Sequence, residues 1–203
     1  MIKGEAEAVL PQSKDDPSPA IHRLRPGDFT YYPAYRWHTI RNASAEPIVY
    51  LMLKWRGAAL GHPSHVPSGV FLREGNAPQP ADSPFQTRLT FEGRTHFLDK
   101  LHVHRSLVMP GGGYEPHADP YDVMIVLLKG TVRTMGQTMT APAFFYHPAN
   151  GLHGLRASGD RPAEYLVVEL HGSADRGRTV ADWSMTDRFT ATPGQSWKAW
   201  RIS

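Results

Sequence analysis

Cysteine is absent from the 203-residue sequence, and its absence excludes disulfide bonds, thiolate metal ligands and a cysteine nucleophile. Long apolar runs are absent too, because no run approaches the roughly 18 residues that a membrane-spanning helix needs. The opening residues, MIKGEAEAVL, lack the basic-then-apolar order of a signal peptide. We therefore expect a cytoplasmic protein without a membrane partner.

An excess of charge of one sign is also missing. The 22 Lys and Arg residues nearly balance the 19 Asp and Glu residues, which leaves a formal net charge of +3. A nucleic-acid groove needs a dense basic run, and the sequence has none. We expect no nucleic-acid partner.

Glycine, proline and histidine are plentiful instead, with 18, 18 and 11 residues respectively. Turn-forming residues at this density predict many short strands, and we find no helical periodicity of useful length. The runs EPIVYLMLKW, YDVMIVLLKG and AEYLVVEL are apolar, rich in β-branched residues and bounded by turn residues. The sequence predicts an all-β protein with strands at these three runs.

The sequence contains an internal repeat. Residues 25–53 align without a gap on residues 140–168, so that Pro33 matches Pro148 and His38 matches His153 at an offset of 115 positions. A fixed offset over a segment of this length predicts two copies of one structural unit.

The two copies are unequal in length. Strand-like sequence runs from Phe85 to Gly130 in the second copy, whereas only residues 1–3 precede the matching Gly4 in the first. Unpaired sheet edges are a liability, so the first unit should be completed by the C-terminal tail, by a second chain in a homodimer, or by residues upstream of Met1. We predict a partial barrel, a Pro/Gly/Ser-rich linker, a complete barrel and a tail, over residues 1–56, 57–84, 85–175 and 176–203.

The spacing of residues in the repeat resembles that of the cupin superfamily, in its two-domain or bicupin form. The second cupin motif is G-x5-P-x-G-x2-H-x3-N. The second copy keeps its proline and histidine as Pro148 and His153. The first copy matches it at four positions, with Tyr35 in place of the second glycine: Gly27, Pro33, His38 and Asn42.

The first cupin motif, G-x5-H-x-H-x3,4-E-x6-G, is found in the second copy. Gly111, His117 and Gly130 match it, while Asp119 replaces the second histidine and Val123 replaces the glutamate. The resemblance implies double-stranded β-helix barrels, of which the first is partial.

The resemblance also implies a metal site in the second barrel, on His117, Asp119 and His153. Two imidazoles and one carboxylate are the ligand set of non-haem Fe(II) oxygenases, and they also suit Mn, Ni or Zn. Asp122, which could restore the missing carboxylate, and His104 of the LHVH stretch are weaker candidate ligands. Alternatively, Pro120 turns Asp119 away and the barrel is free of metal.

These residues leave three functions open. The first is a metal-dependent enzyme, such as a dioxygenase or isomerase, that acts on a sugar, sugar acid or small organic acid. In it, Asp122 or Tyr121 would transfer protons. The second is a metal-free protein that binds a small molecule or has an accessory role. The third is a metal-free sugar-nucleotide epimerase or isomerase with a histidine base opposite a tyrosine acid.

Overall fold

The computed structural model describes residues 1–55, 57–78 and 83–172, and the backbone of residues 198–201. The described residues form four antiparallel sheets and no helix, so the prediction of an all-β protein is confirmed. No helix that could cross a bilayer is present among them. The strands are β1 (Ala6–Leu10), β2 (Ala20–Leu24), β3 (Phe29–Tyr31), β4 (Thr39–Asn42), β5 (Gly69–Phe71), β6 (Phe85–Gly93), β7 (Lys100–Val108), β8 (Gly113–Ala118), β9 (Asp122–Lys129), β10 (Thr131–Thr134), β11 (Gln137–Thr140), β12 (Ala143–His147), β13 (Leu152–Ala157), β14 (Ala163–His171) and β15 (Lys198–Arg201).

The C-terminal barrel consists of two sheets that face each other. One sheet has the strand order β15-β12-β9-β14-β7-β6, and the other has the order β11-β10-β13-β8. The core between them includes Ile125 and Phe145 from the larger sheet and Val132 and Leu155 from the smaller one. Alternate residues of a strand point to opposite faces, so each strand contributes every second side chain to this core.

The outer face of the larger sheet is buried as well. Met124 and Val126 of β9 point away from the barrel core and pack in a second cluster with Tyr31 of the N-terminal unit and Val66. This double burial explains why the β9 sequence is apolar throughout instead of alternating. The larger sheet therefore has one face in the barrel and the other against the preceding part of the chain.

A charged contact also joins these two parts of the chain. The Arg73 guanidinium donates two hydrogen bonds to the Glu164 carboxylate, at 2.6 and 2.5 Å. The fully buried Arg105 donates to the backbone oxygen of Gly27 at 2.6 Å. Within residues 57–84, which we predicted to be a linker, β5 pairs with β3 of the N-terminal unit. The described part of this segment is thus folded against both units.

The N-terminal unit repeats part of the barrel. Strand β1 lies between β2 and β4, just as β10 lies between β11 and β13. The matching turns have the same left-handed backbone conformation, with φ of 64° at Tyr35 and 63° at Asn150. This agreement in pairing and backbone conformation supports the repeat found in the sequence.

The prediction of a strand at EPIVYLMLKW is wrong. The described residues 47–55 contain only an isolated bridge between Val49 and Lys3. The matching strand β14 is paired on both sides, with β7 and β9. No strand of the described N-terminal unit pairs with residues 47–55 in that way. An apolar β-branched run becomes a strand only when it has neighbours for its backbone groups.

Most of the predicted tail, residues 176–203, lies outside the described residues. Its described part, β15, pairs with β12 and extends the larger sheet of the C-terminal barrel. One expectation above was that the tail completes the N-terminal unit. The described tail residues do not do so.

Candidate metal centre

The structure brings His117, Asp119 and His153 together at one end of the barrel. Strand β8 pairs with β13, and His117 lies directly opposite His153 in the register. Asp119 follows β8, and its Oδ2 lies 3.5 Å from His117 Nε2 and 3.3 Å from His153 Nε2. Pro120 therefore does not turn the Asp119 carboxylate away from the two imidazoles.

The orientation of both rings is set by the backbone. His117 Nδ1 is 3.1 Å from the carbonyl oxygen of Glu115, and His153 Nδ1 is 3.0 Å from that of Gly151. A carbonyl oxygen only accepts hydrogen bonds, so each Nδ1 carries the hydrogen and donates it. In the neutral rings both Nε2 lone pairs then face the Asp119 carboxylate. Three electron-rich groups in this arrangement need a cation or a proton between them.

The two separations from Asp119 Oδ2 match those expected around a single divalent ion. Bonds of about 2.1 Å at tetrahedral angles place neighbouring ligand atoms ~3.4 Å apart. The two distances from Asp119 Oδ2, 3.5 and 3.3 Å, lie within 0.1 Å or so of that value. The two nitrogens and one oxygen also form a suitable donor set for Fe, Mn, Ni or Zn. The residues present therefore fit such an ion.

Exposure differs across this group. The His153 side chain is 4% exposed, the Asp119 side chain 23% and the His117 side chain 49%. Burial lowers the pKa of His153, and the nearby His117 lowers it further, against the opposing effects of the Gly151 carbonyl and the Asp119 and Glu169 charges. Burial thus favours the neutral form of His153, which is the form that binds a metal. The His117 side of the centre is open for a small molecule to approach.

Two aromatic residues that the sequence did not single out as site residues pack against His153 and His117. The buried His147 ring stacks on His153 with ring centroids 4.5 Å apart. Burial, together with the charges of His153 and His117, lowers the pKa of His147 to about 3. The Tyr114 ring lies edge-on to His117 at 5.3 Å. The sequence signal for His147 was its position in the repeat, where it matches the aromatic Tyr32.

Asp122 lies outside this group of ligand atoms. Its side chain is buried, and its Oδ1 accepts a hydrogen bond from the backbone N–H of Ala149 at 2.9 Å. The Asp119 backbone oxygen similarly accepts from the N–H of Asn150 at 2.6 Å. These bonds attach the loop before β13 to the turn before β9, so Asp122 helps to position His153. Val123, at the glutamate position of the motif, is buried in the barrel core.

Tyr121 contacts Asp119 of this centre and His171, which lies beside a second histidine cluster. Its ring packs against His171 at a tilt of 30°, with centroids 3.7 Å apart. Burial raises the pKa of Tyr121 to about 12, assisted by the charges of Glu169 and Asp119 and a hydrogen bond to Asp119. At neutral pH the Tyr121 hydroxyl is therefore protonated and can act as a donor but not as a base.

His104 does not join the first group. Its ligand atom instead lies close to those of His102 and Glu169, on β7 and β14. The sequence suggested His104 as a weaker candidate ligand of the first centre. It ranks lower because its strand, β7, does not supply ligands in the cupin motifs.

Comparisons with known proteins identify the fold but no close relative. No protein-family model and no curated protein matches the chain. Among solved structures, the oxalate decarboxylase of Bacillus subtilis, which has Mn(II) centres, superposes with a TM-score of 0.54 at 13% identity. The match covers 84% of this chain and 62% of the decarboxylase chain. The chain has a cupin fold.

Two further solved structures each match about half of this chain. A double-stranded β-helix protein of Klebsiella pneumoniae superposes with a TM-score of 0.44 at 17% identity, over 51% of this chain and 90% of its own. An RmlC-like cupin of Shewanella frigidimarina superposes with a TM-score of 0.39 at 16% identity, over 51% of this chain and 90% of its own. At these identities the comparisons establish the fold and leave function to the site.

Proposed function

We propose that this cupin is a metal-dependent enzyme that acts on a small polar molecule at His117, Asp119 and His153. The observation that carries the proposal is the convergence of two imidazole Nε2 atoms on one carboxylate oxygen, at 3.5 and 3.3 Å. Each ring is held in that orientation by a backbone carbonyl, so the arrangement does not depend on flexible side chains.

The donor set and the fold favour a divalent ion of the Fe, Mn, Ni or Zn type. Two nitrogens and one oxygen suit these ions, and three protein ligands leave further positions open. The presence of Mn(II) in the oxalate decarboxylase that shares this fold supports the same class of ion. When bound, such an ion polarises an oxygen of the substrate as a Lewis acid.

The protein side chains would bind and orient the substrate. The half-exposed His117 leaves an approach to the centre from the barrel mouth. The Tyr121 hydroxyl, with its pKa raised to about 12, is hydrogen-bonded to Asp119 and would hold that carboxylate in position. A molecule with two adjacent oxygen atoms, such as a sugar acid or a small organic acid, would occupy the open positions.

The test is metal analysis of matched variants. The full-length protein would be stripped with a chelator, reconstituted separately with Fe²⁺, Mn²⁺, Ni²⁺ and Zn²⁺, and analysed for metal content. Asp119→Asn keeps the side-chain shape but removes the negative charge. We expect it to lower the metal affinity of this centre by at least about 10-fold, since even outer partners of a ligand cost about 10- to 100-fold. Asp99→Asn, in an exposed turn, is the control.

Activity is tested next, by screening sugar acids and small organic acids with the loaded protein. Turnover by the wild type and by Asp99→Asn, but not by Asp119→Asn, would support the proposal. If Asp119→Asn binds each metal as the wild type does, the proposed centre is incorrect. Catalysis by the fully stripped protein would instead favour the metal-free epimerase or isomerase.

A further inference from the structure

A second cluster of histidines and carboxylates lies inside the same barrel. It is built on β7 and β14, which are adjacent, and Glu169 lies directly opposite His102 in the register. His102 and His104 share a face of β7 because they are two residues apart. Val108 of β7 and Val167 of β14 lie on the same faces and belong to the barrel core.

Three ligand atoms converge within this cluster. His102 Nε2 lies 3.0 Å from His104 Nδ1, and His104 Nδ1 lies 3.9 Å from Glu169 Oε1. The ligand atoms of the three residues all lie within 4.8 Å of one another. Bonds of about 2.1 Å place neighbouring ligand atoms ~3.0 Å apart at right angles and ~3.4 Å apart at tetrahedral angles. The cluster is therefore close to the spacing of a coordination sphere.

His102 and Glu169 each have a hydrogen-bond partner outside the cluster. In each residue the other side-chain nitrogen or oxygen then faces the cluster. The Glu92 carboxylate is 2.8 Å from His102 Nδ1, and His171 Nε2 is 2.9 Å from Glu169 Oε2. Since a carboxylate accepts, His102 Nδ1 carries the hydrogen and its Nε2 is the bare nitrogen. Carboxylate–histidine pairs of this kind orient imidazole ligands in metal sites.

The cluster is enclosed but accessible. The side chains of His102, His104 and Glu169 are 22%, 15% and 16% exposed. Exposure at this level shields the ligands from bulk water while leaving a route for an ion. His171, the outer partner of Glu169, packs against the Tyr121 ring with centroids 3.7 Å apart.

We propose that His102, His104 and Glu169 form a second divalent-metal site, which takes Zn²⁺ or another ion that prefers imidazole. Two imidazole nitrogens and one carboxylate oxygen suit such ions better than Ca²⁺ or Mg²⁺, which prefer oxygen ligands. The competing arrangement is a hydrogen bond between His102 and His104, in which a proton occupies the place of the ion. The proposal does not depend on the function proposed for the first centre.

The number of bound ions tests the proposal. The full chain would be stripped, dialysed against Zn²⁺, desalted and analysed by mass spectrometry of the metal. We expect two ions per chain in the wild type, one in His104→Asn, one in His153→Ala and none in the double variant. His22→Asn, at an exposed position on β2, is the control and should keep two. Circular dichroism and thermal unfolding would verify that each variant is folded.

The outcomes separate the two sites. If His104→Asn binds as many ions as the wild type, the second site does not exist. If the wild type binds one ion that is lost only in His104→Asn, the second site stands and the first centre is incorrect. If the wild type binds one ion that is lost only in His153→Ala, the first centre stands and the second site does not exist.

A second variant tests the outer partner without removing a ligand. Glu92→Gln keeps a hydrogen-bond acceptor but weakens the orientation and basicity of His102, so the Zn²⁺ affinity of this site should fall about 10- to 100-fold. Glu46→Gln, at an exposed position, is the control. Competition with a coloured chelator would measure the affinity. An unchanged affinity in Glu92→Gln would contradict the assignment of His102 Nε2 as a ligand atom.

Discussion

His38 and His153 occupy equivalent positions in the two copies of the repeat, and their rings are held in the same way. His38 Nδ1 bonds the carbonyl oxygen of Arg36 at 2.8 Å, and His153 Nδ1 bonds that of Gly151 at 3.0 Å. In each copy the ring stacks on an aromatic residue just before the motif proline, Tyr32 in the first at 4.0 Å and His147 in the second at 4.5 Å.

The surroundings of the two rings are different. His153 is buried and meets Asp119 and His117, which come from the end of β8. His38 is exposed, and no group of three metal-ligand side chains among the described residues includes it. It instead lines a cavity of about 580 Å³ with apolar and aromatic residues such as Trp55 and Phe97. The repeated loop therefore fixes the orientation of one imidazole in each copy. The second copy forms a candidate metal centre because the end of β8 supplies His117 and Asp119 as further ligands.

The largest expected effect follows from exchanging His153 for alanine, with His38→Ala as the matched comparison. His153→Ala removes a ligand from the centre, so we expect at least about a 100-fold loss of metal affinity there, since even outer partners cost 10- to 100-fold. His38→Ala should leave the metal content unchanged. Titration of the stripped variants with Zn²⁺ or Mn²⁺ makes the comparison. Equal losses in both variants would show that the two loops do not differ as described.

The contact between the two parts of the chain is tested by removing a charge. Arg73→Met leaves the Glu164 carboxylate, whose side chain is 4% exposed, without its bidentate partner. The longer pair of Glu164 with Lys129, at 3.7 Å, remains. We expect a loss of about 3 kcal/mol in the free energy of unfolding, at the low end for breaking a buried pair, because the carboxylate loses its hydrogen-bonded partner. Arg41→Met breaks an exposed pair with Glu7 within the N-terminal unit and should cost less than about 1 kcal/mol. Urea unfolding measures both, and similar losses would refute the distinction.

A smaller effect is expected at alkaline pH. Burial raises the pKa of Tyr165, against a hydrogen bond with Ser106 that lowers it. The unfolded chain ionises this hydroxyl near pH 10 while the folded chain keeps it protonated. The unfolded state thus binds fewer protons above pH 10, and stability, fully present below that pH, falls as the pH rises, by about 1.4 kcal/mol per unit.

Matched variants isolate this residue. In Tyr165→Phe the fall in urea midpoint between pH 9 and pH 11 should be shallower than in the wild type. The repeat supplies the control in Tyr50, which matches Tyr165 and is 40% exposed. Tyr50→Phe should keep the wild-type pH dependence. An identical slope in Tyr165→Phe would mean that the hydroxyl ionises in the folded protein as readily as in the unfolded one.

Local sequence patterns predicted the strands wherever the necessary neighbours exist. The β9 run is apolar on both faces and is buried on both faces, as its pattern indicated. The equally apolar residues 47–55 are not a strand in the described structure, although they match β14. The difference lies in their neighbours, since β14 pairs with both β7 and β9. A strand depends on partners that its own residues do not specify.

By itself, the sequence determined the all-β class, the repeat and the motif spacing whose resemblance to cupins implied His117, Asp119 and His153 as ligands. Each of these is a local or periodic property of the chain. The tertiary structure alone decided that the Asp119 carboxylate points at the two imidazoles despite Pro120, and that Asp122 bonds the loop at Ala149. It also decided that Glu169 lies opposite His102. These contacts depend on which strands become neighbours, and that pairing is set by the packing of the whole barrel.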